Sequence, residues 1–279
     1  MITGAAKLAG VIGWPVAQSR SPRLHGAWLA RHGIDGAYVP VAVRPEDLEI
    51  AVRGLVACGF AGANVTVPHK EAVMALCDSL DHAARAAGAV NTLVFGADGR
   101  IAGRNTDGVG FLENLRAEGV EIAGRALILG AGGAARAIAA SLRQEGMDVT
   151  LCNRTRERAE SLAAQVAGVG VIDWEAREDF LPEVGLVVNT TTIGMKGEGG
   201  SPLRLNAVGA GLVVADIVYV PRLTPLLEVA QAHGLRVVPG LGMLLHQAVP
   251  GFAAWFGVIP EVDDEIFAIV GADIPLRAG

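Results

Sequence analysis

Leu127-Ile128-Leu129-Gly130-Ala131-Gly132-Gly133-Ala134-Ala135 is the stretch that decides the fold. Three large apolar residues run into a glycine cluster, and a helix-forming segment continues to residue 144. An apolar run bounded by glycine reads as a buried strand, and the segment after the glycines reads as a helix. Glycine permits backbone angles that a Cβ forbids and lets the main chain approach a ligand closely. The open amides and positive dipole end of the helix then suit a pyrophosphate. Tight strand–helix packing without a ligand would use the same glycines, but the strand–turn–helix context favours a dinucleotide.

The next strand tip indicates which dinucleotide. An NAD site expects an acid about twenty residues after the first glycine, to accept from the ribose 2′-hydroxyl. This chain reads Cys152-Asn153-Arg154-Thr155-Arg156-Glu157-Arg158 there. Arg154 and Arg158 lie one helical turn apart on one face, where two guanidiniums suit a 2′-phosphate. The alternative is a solvated basic helix start, which the macrodipole disfavours, so a bound anion explains the pair better. The favoured cofactor is NADP.

Outward from this unit, strands and helices alternate along most of the chain. Strands are expected at 7–12, 38–42, 63–65, 92–95 and 100–103, the last two flanking a hairpin-like turn at Ala97-Asp98-Gly99, then at 125–129, 149–152, 186–188, 213–217 and 236–238. Helices are expected from Ser21-Pro22 towards Gly33, with Ser21 as a candidate cap, and at 45–58, 107–118, 134–144, 156–166 and from Thr224-Pro225 to Gly234. The last helices, near 243–256 and 264–269, have no strand of their own. Such alternation predicts α/β architecture with parallel sheets covered on both faces. Two sets of units predict two α/β domains, the second a Rossmann-type parallel sheet, with an interdomain cleft for ligands.

Composition narrows the function classes. A net charge of −6 on 279 residues argues against a nucleic-acid partner, which needs a concentrated basic surface. Cys58, Cys77 and Cys152 are scattered without metal-ligand spacing, so no metal is expected, and reduced thiols point to the cytoplasm. The first residues show no basic leader followed by a long apolar run, and no targeting segment is expected. Residues 237–260 carry no Asp, Glu, Lys or Arg, but Pro239, Pro250 and several glycines punctuate them, so a buried loop and helix are expected in place of a membrane span.

Polar residues gather at strand ends and turns of the first half, where a rigid sheet presents functional groups. They are Ser19, Ser21, Asn64, Thr66, Lys70, Asn91, Asn105 and Asp107. Each has an ordinary structural use alone: a helix cap for Ser21 or Asp107, an exposed charge for Lys70, a strand residue for Thr66. Together, hydroxyls, amides, one lysine and one aspartate suit a small polyhydroxylated acid. Lysine and aspartate can move a proton at an alcohol oxygen while hydride moves on carbon.

These segments, in this order, resemble the shikimate dehydrogenase family over nearly the whole chain. The resemblance rests on Ser19-x-Ser21-Pro22, Asn64-Val65-Thr66-Val67-Pro68-x-Lys70, Gly88-Ala89-Val90-Asn91-Thr92 and Asn105-Thr106-Asp107-Gly108. It continues through Gly130-Ala131-Gly132-Gly133-Ala134, Asn153-Arg154-Thr155 with Arg158, Tyr219, and Gly240-Leu241-Gly242-Met243-Leu244 leading to Gln247.

The resemblance implies NADP-dependent, reversible reduction of 3-dehydroshikimate to shikimate in aromatic amino-acid biosynthesis. It implies that Lys70 and Asp107 form the catalytic pair, with Asp107 also at the substrate. Ser19 and Ser21 would bind the substrate carboxylate, and Thr66, Asn91 and Gln247 ring hydroxyls or the carboxylate, with Tyr219 closing on the substrate side. Gly130, Ala131, Gly132, Gly133 and Ala134 would cradle the pyrophosphate. Asn153, Arg154, Thr155 and Arg158 would hold the adenosine end, and Ile217, Gly240 and Met243 would line the nicotinamide.

It also implies a substrate-binding domain of residues 1–106 completed by helices within 241–279, a cofactor domain of 107–240, and a monomer or homodimer with small-molecule partners only. Asn189-Thr190-Thr191-Thr192-Ile193-Gly194 departs slightly from the family pattern. His82 stands where relatives often carry an acid and is left out of the site. Two other readings stay open here: a quinate/shikimate dehydrogenase using NAD, and a nucleotide-binding regulatory module without turnover.

Overall fold

A computed structural model describes residues 2–206, 208–209 and 211–277. The chain divides into two compact units, Met1–Thr106 with Gln247–Ala272, and Asp107–His246 with Asp273–Gly279. The C-terminal helices within 241–279 are expected to complete the first domain. By contacts, Gln247–Ala272 do so, whereas residues 241–246 and 273–277 lie with the second unit.

The first unit begins β1 (Lys7–Gly13), α1 (Ser21–Arg31), β2 (Gly36–Ala42), α2 (Leu48–Ala57), β3 (Gly62–Val65), β4 (Ser79–Leu80), α3 (His82–Ala87), β5 (Thr92–Phe95) and β6 (Ile101–Arg104). Its sheet runs β2-β1-β3-β5-β6-β4. β1 is parallel to both β2 and β3, as the alternation predicts. β5 is antiparallel to β6, as the hairpin-like turn predicts, and also to β3, so this sheet is mixed where a wholly parallel one is expected. The cause is local: a tight turn through Gly99, at φ +80, joins β5 directly to β6, and so short a link cannot cross over to a parallel strand. Ile12, Val52, Ala63, Val65 and Leu93 form the core on one face of this sheet.

The second unit follows as α4 (Asp107–Ala117), β7 (Arg125–Leu129), α5 (Gly133–Gln144), β8 (Asp148–Cys152), α6 (Arg156–Ala163), β9 (Val169–Ile172), β10 (Leu186–Asn189), β11 (Val213–Asp216), α7 (Pro225–Ala232), β12 (Arg236–Val238) and α8 (Gly240–His246). Its six strands run β12-β11-β10-β7-β8-β9, all parallel. Alternate residues of β7 enter opposite cores. Ala126 and Ile128 pack with Ile138 and Leu142 of α5, whereas Leu127 and Leu129 pack with Leu226 and Leu227 of α7. Burying each large aliphatic side chain contributes about 1.5–3 kcal/mol, so the two-faced strand fixes the glycine turn at its end.

The chain returns to the first unit as α9 (Val249–Phe256) and α10 (Asp264–Gly271). Phe252 and Trp255 pack against the rings of His25, Trp28 and Tyr38. Arg31 reaches Asp263 at 2.8 Å and Glu265 at 2.6 Å, tying α10 to α1. The expected helix over 243–256 is two helices, because Pro250 has no N–H to donate back into the preceding turn. The expected helix over 45–58 opens as a 3-10 turn at Pro45–Asp47 before α2 begins. Among the described residues no helix is long and apolar enough to cross a membrane.

Candidate active site

In the first unit the polar residues foreseen from sequence sit where strands end. Ser21 is buried as the first residue of α1, and the cap position is Arg20, with no side-chain cap bond. The capping role considered for Ser21 is therefore corrected: Pro22 already starts the helix without an N–H to satisfy. Ser19 is half-buried, with its Oγ 3.4 Å from the Ser21 amide. Burial holds the Tyr38 phenol well above its ordinary range, and a hydrogen bond with the Ser21 side chain acts against that rise. His25, one turn after Ser21, is stacked on Tyr38 at 3.9 Å, and burial pushes its imidazole down to about 3, so it is neutral.

Thr66 follows β3, its amide donating to Ile12 O at 2.9 Å. Lys70 is half-buried, and its backbone carbonyl accepts from Val90 N–H at 2.7 Å. The segment between them is pinned by buried His69, whose Nε2 meets Val43 O at 2.7 Å. Asn91 Nδ2 donates to Thr106 Oγ1 at 3.0 Å and lies 3.4 Å from Gln247 Oε1, so the fold joins two foreseen residues 156 positions apart. Asn105 fixes the same turn, its Nδ2 donating to Ala89 O at 2.9 Å. Asp107 is buried at the head of α4; it belongs to the second unit and Lys70 to the first.

In the second unit, the glycine turn has the geometry expected of a phosphate cradle. Gly130 has φ +108, and a Cβ there would lie 2.6 Å from Thr190 Oγ1, so only glycine fits. Gly132 precedes α5 without a side-chain cap, and Cβ atoms on Gly132 or Gly133 would meet nothing within 4 Å. The first amides of α5, including Ala134, lack the intrahelical acceptors of interior residues. Ala131 lines a hollow of about 200 Å³ together with Arg136, Arg158, Ser161, Leu162 and Gln165.

The three arginines of α6 and its approach divide by partner. Arg156 is neutralised by Glu160 at 2.7 Å and Asp173 at 2.6 Å. Exposed Arg154 and Arg158 have no carboxylate within ion-pair distance among the described residues. Thr155 occupies the cap position of α6 without a side-chain cap bond, and Asn153 Nδ2 donates to Thr155 O at 2.8 Å. Glycines with open space above them and two uncompensated guanidiniums fit a phosphorylated dinucleotide.

The remaining foreseen cofactor residues also come together. A Cβ on Gly240 would stand 2.4 Å from Ile217 O, so the start of α8 touches the end of β11 only because residue 240 is glycine. Met243, one turn on, packs in the same core as Ile217. Tyr219 is half-buried two residues further along that loop.

The group that holds this loop was not foreseen from the sequence. Asp216 accepts from Asn189 Nδ2 at 3.0 Å, Val218 N at 2.9 Å and Thr224 Oγ1 at 2.7 Å. Burial raises its carboxyl to about 6 against the lowering effect of those bonds. A signal was present: an acid interrupts the apolar run Val213-Val214-Ala215-Asp216-Ile217-Val218, and a buried carboxylate must find donors.

Comparison with known proteins agrees with this arrangement. Residues 11–93 match the model of the shikimate dehydrogenase substrate binding domain, and residues 117–194 that of shikimate / quinate 5-dehydrogenase. Shikimate dehydrogenase (NADP(+)) of Acidiphilium cryptum is 61% identical over 275 residues, covering 98% of this chain and 99% of that protein. A crystal structure of a shikimate dehydrogenase in complex with NADP+ superposes with a TM-score of 0.92 at 35% identity, covering 98% of both chains. The Thermus thermophilus shikimate 5-dehydrogenase, solved with NADP(H) and shikimate, gives 0.86 at 37% identity over 95% of this chain and 98% of its own. With a parallel Rossmann-type sheet, a glycine cradle, an arginine pair and this likeness over almost its full length, the chain belongs to the shikimate dehydrogenase family of oxidoreductases.

Proposed function

We propose that this protein catalyses the NADP-dependent, reversible reduction of 3-dehydroshikimate to shikimate, a step towards chorismate and the aromatic amino acids. The observation that carries the cofactor assignment is the partition of the arginines: Arg156 has two carboxylates, while Arg154 and Arg158 on either side have none among the described residues. The substrate follows from the relatives' shared name and from a cluster of neutral donors and acceptors in the first unit. The protein works in the cytoplasm as a monomer or homodimer, with no nucleic-acid partner.

Each residue then has a stated task. Ser19 and Ser21 donate to the carboxylate; Thr66, Asn91 and Gln247 take ring hydroxyls or the carboxylate, and Tyr219 closes on the substrate side. The amides of Gly130–Ala134 hold the pyrophosphate, and Asn153, Arg154, Thr155 and Arg158 hold the phosphorylated adenosine. Ile217, Gly240 and Met243 keep water from the nicotinamide ring. Held by these residues, NADPH would supply hydride chemistry to the ketone. As negative charge builds on the ketone oxygen, the Lys70 ammonium donates its proton there, with Asp107 holding the ammonium in place. In the oxidative direction neutral Lys70 takes the alcohol proton.

Steady-state rates for shikimate and quinate, each with NADP+ and NAD+, test this reading. The highest kcat/KM is expected for shikimate with NADP+. A higher value with quinate or with NAD+ overturns the assignment.

A further inference from the structure

Asn114 is a costly residue where it stands. It is only 2% exposed, on the face of α4 that carries Phe111 and Leu115 into the core shared with Met243 and Ile217. Asparagine is a poor helix former, and its amide must find partners once buried. Alanine or leucine would suit both the helix and the core better, so the amide is there for its bonds.

Those bonds go to the segment that begins α8. β12 ends at Val238, and Pro239 has no N–H, so its carbonyl is the polar group by which its backbone can be held. Asn114 Nδ2 donates to that carbonyl at 3.0 Å. A carbonyl cannot donate, so the amide orientation is fixed, with Nδ2 on Pro239 and Oδ1 turned to Gly242. A Cβ on Gly242 would overlap Oδ1, so α8 meets Asn114 there through bare backbone.

Gly240 lies between these two contacts, and a Cβ on it would overlap the carbonyl of Ile217. Residues 239–243 are thus pinned to α4 on one side and laid against the end of β11 on the other. Ile217 is itself fixed: its N–H donates to Asn189 O at 3.1 Å, and the next N–H, of Val218, to Asp216 Oδ1 at 2.9 Å.

We infer that Asn114 is a positioning residue for the nicotinamide end of NADP: by holding Pro239 and seating Gly242, it sets Gly240 and Met243 against Ile217. This rests on the proposed reading that Ile217, Gly240 and Met243 line the nicotinamide. Arg154 and Arg158, proposed for the adenosine end, follow β8 on the other half of the sheet, out of reach of the change.

Different ligands read the two ends. 2′,5′-ADP carries adenosine and the 2′-phosphate without nicotinamide, whereas NADP+ carries both. By isothermal titration calorimetry, Asn114→Ala should weaken NADP+ about tenfold, the loss of one buried hydrogen bond, and 2′,5′-ADP by less than about twofold. Gly242→Ala forces the same contact apart from the other helix and should give the same split; if Asn114→Ala does not fold, Gly242→Ala decides alone. Both changes break one contact, so the double variant should bind NADP+ no more weakly than the weaker single.

Equal weakening of both ligands, or unchanged NADP+ affinity with only a lower Tm, makes Asn114 a packing residue and overturns the inference, as do additive losses in the double variant. Met243→Ala tests the reading beneath it and should also weaken NADP+ while sparing 2′,5′-ADP. A split for Met243→Ala without one for Asn114→Ala overturns the inference alone. No split for any of the three overturns the nicotinamide assignment with it. None of these measurements needs turnover, so a wild type that fails to oxidise shikimate removes the proposed reaction and leaves the split to decide.

Discussion

The first unit and the second prepare for their ligands by opposite means. Around Asn91 almost every polar atom already has a partner, with Asn64, Thr92, Thr106 and Gln247 bonded around it. Around the glycine turn the chain offers space, backbone amides and the two arginines it leaves unneutralised. Neutral hydroxyls and amides discriminate by direction, which is useful only when it is held fixed. Phosphate is recognised by charge, which reaches further and tolerates mobile side chains. The wired region is thus suited to choosing among similar small acids, and the open one to capturing a large anion.

The largest effect should come from Lys70. Lys70→Ala should lower kcat by about 10²–10⁴-fold with NADPH affinity nearly intact by fluorescence titration. Near-normal kcat with a raised shikimate KM would make Lys70 a binding group and leave Asp107 or water as the acid.

Asp216 is the wired exception in the second unit, and its signature is a pH slope in stability. Its carboxyl is raised from 3.8 to about 6 when folded, so its contribution is fully present below pH 3.8 and lost as pH rises through about 6. The loss amounts to about 3 kcal/mol across that window. Asp35 and Asp263, held low by their hydrogen bonds to Thr3 and Arg31, act in the opposite direction, so the difference between wild type and Asp216→Asn is the quantity to measure. Denaturant midpoints between pH 4 and 6.5 should decline more steeply in wild type than in Asp216→Asn. Parallel curves would show that Asp216 does not titrate there.

Replacing Arg154 or Arg158 by alanine should cost about 1.5–3 kcal/mol of NADP+ affinity each, with NAD+ almost unaffected, and added salt should narrow the gap. Equal losses for both cofactors would place the arginines elsewhere than on a 2′-phosphate. The smallest change belongs to Ser21→Ala, expected to raise the shikimate KM by about three- to tenfold while the NADP+ KM stays constant. A drop in Tm with normal kinetics would return Ser21 to a purely structural role.

Legibility in the sequence followed the range of the forces involved. β7, the glycine turn and α5 were readable because periodicity and turn chemistry act over a few residues. β9 escaped because Gly170 interrupts a short apolar run at the sheet edge, and β4 because Ser79–Leu80 is too short for any period to appear. The antiparallel placement of β5 against β3 was hidden because it depends on which strand a hairpin docks against. In the site, the foreseen residue types stand at strand ends, but the bond from Tyr38 to Asn64 spans 26 positions and exists only once β1 lies between β2 and β3. Amide direction at Asn91 is further from reach, since a backbone N–H fifteen residues away sets it.

The return of α9 and α10 to the first unit has a consequence for synthesis on the ribosome. Trp28 and Tyr38 complete their aromatic packing only with Phe252 and Trp255, far later in the chain. The six strands of the second sheet are all made by Val238, before that packing can close. A nascent chain therefore carries an unfinished first sheet, its apolar face uncovered, until α9 has been made. Chaperone demand should concentrate on the N-terminal segment, and a stall shortly before Val249 should expose it most.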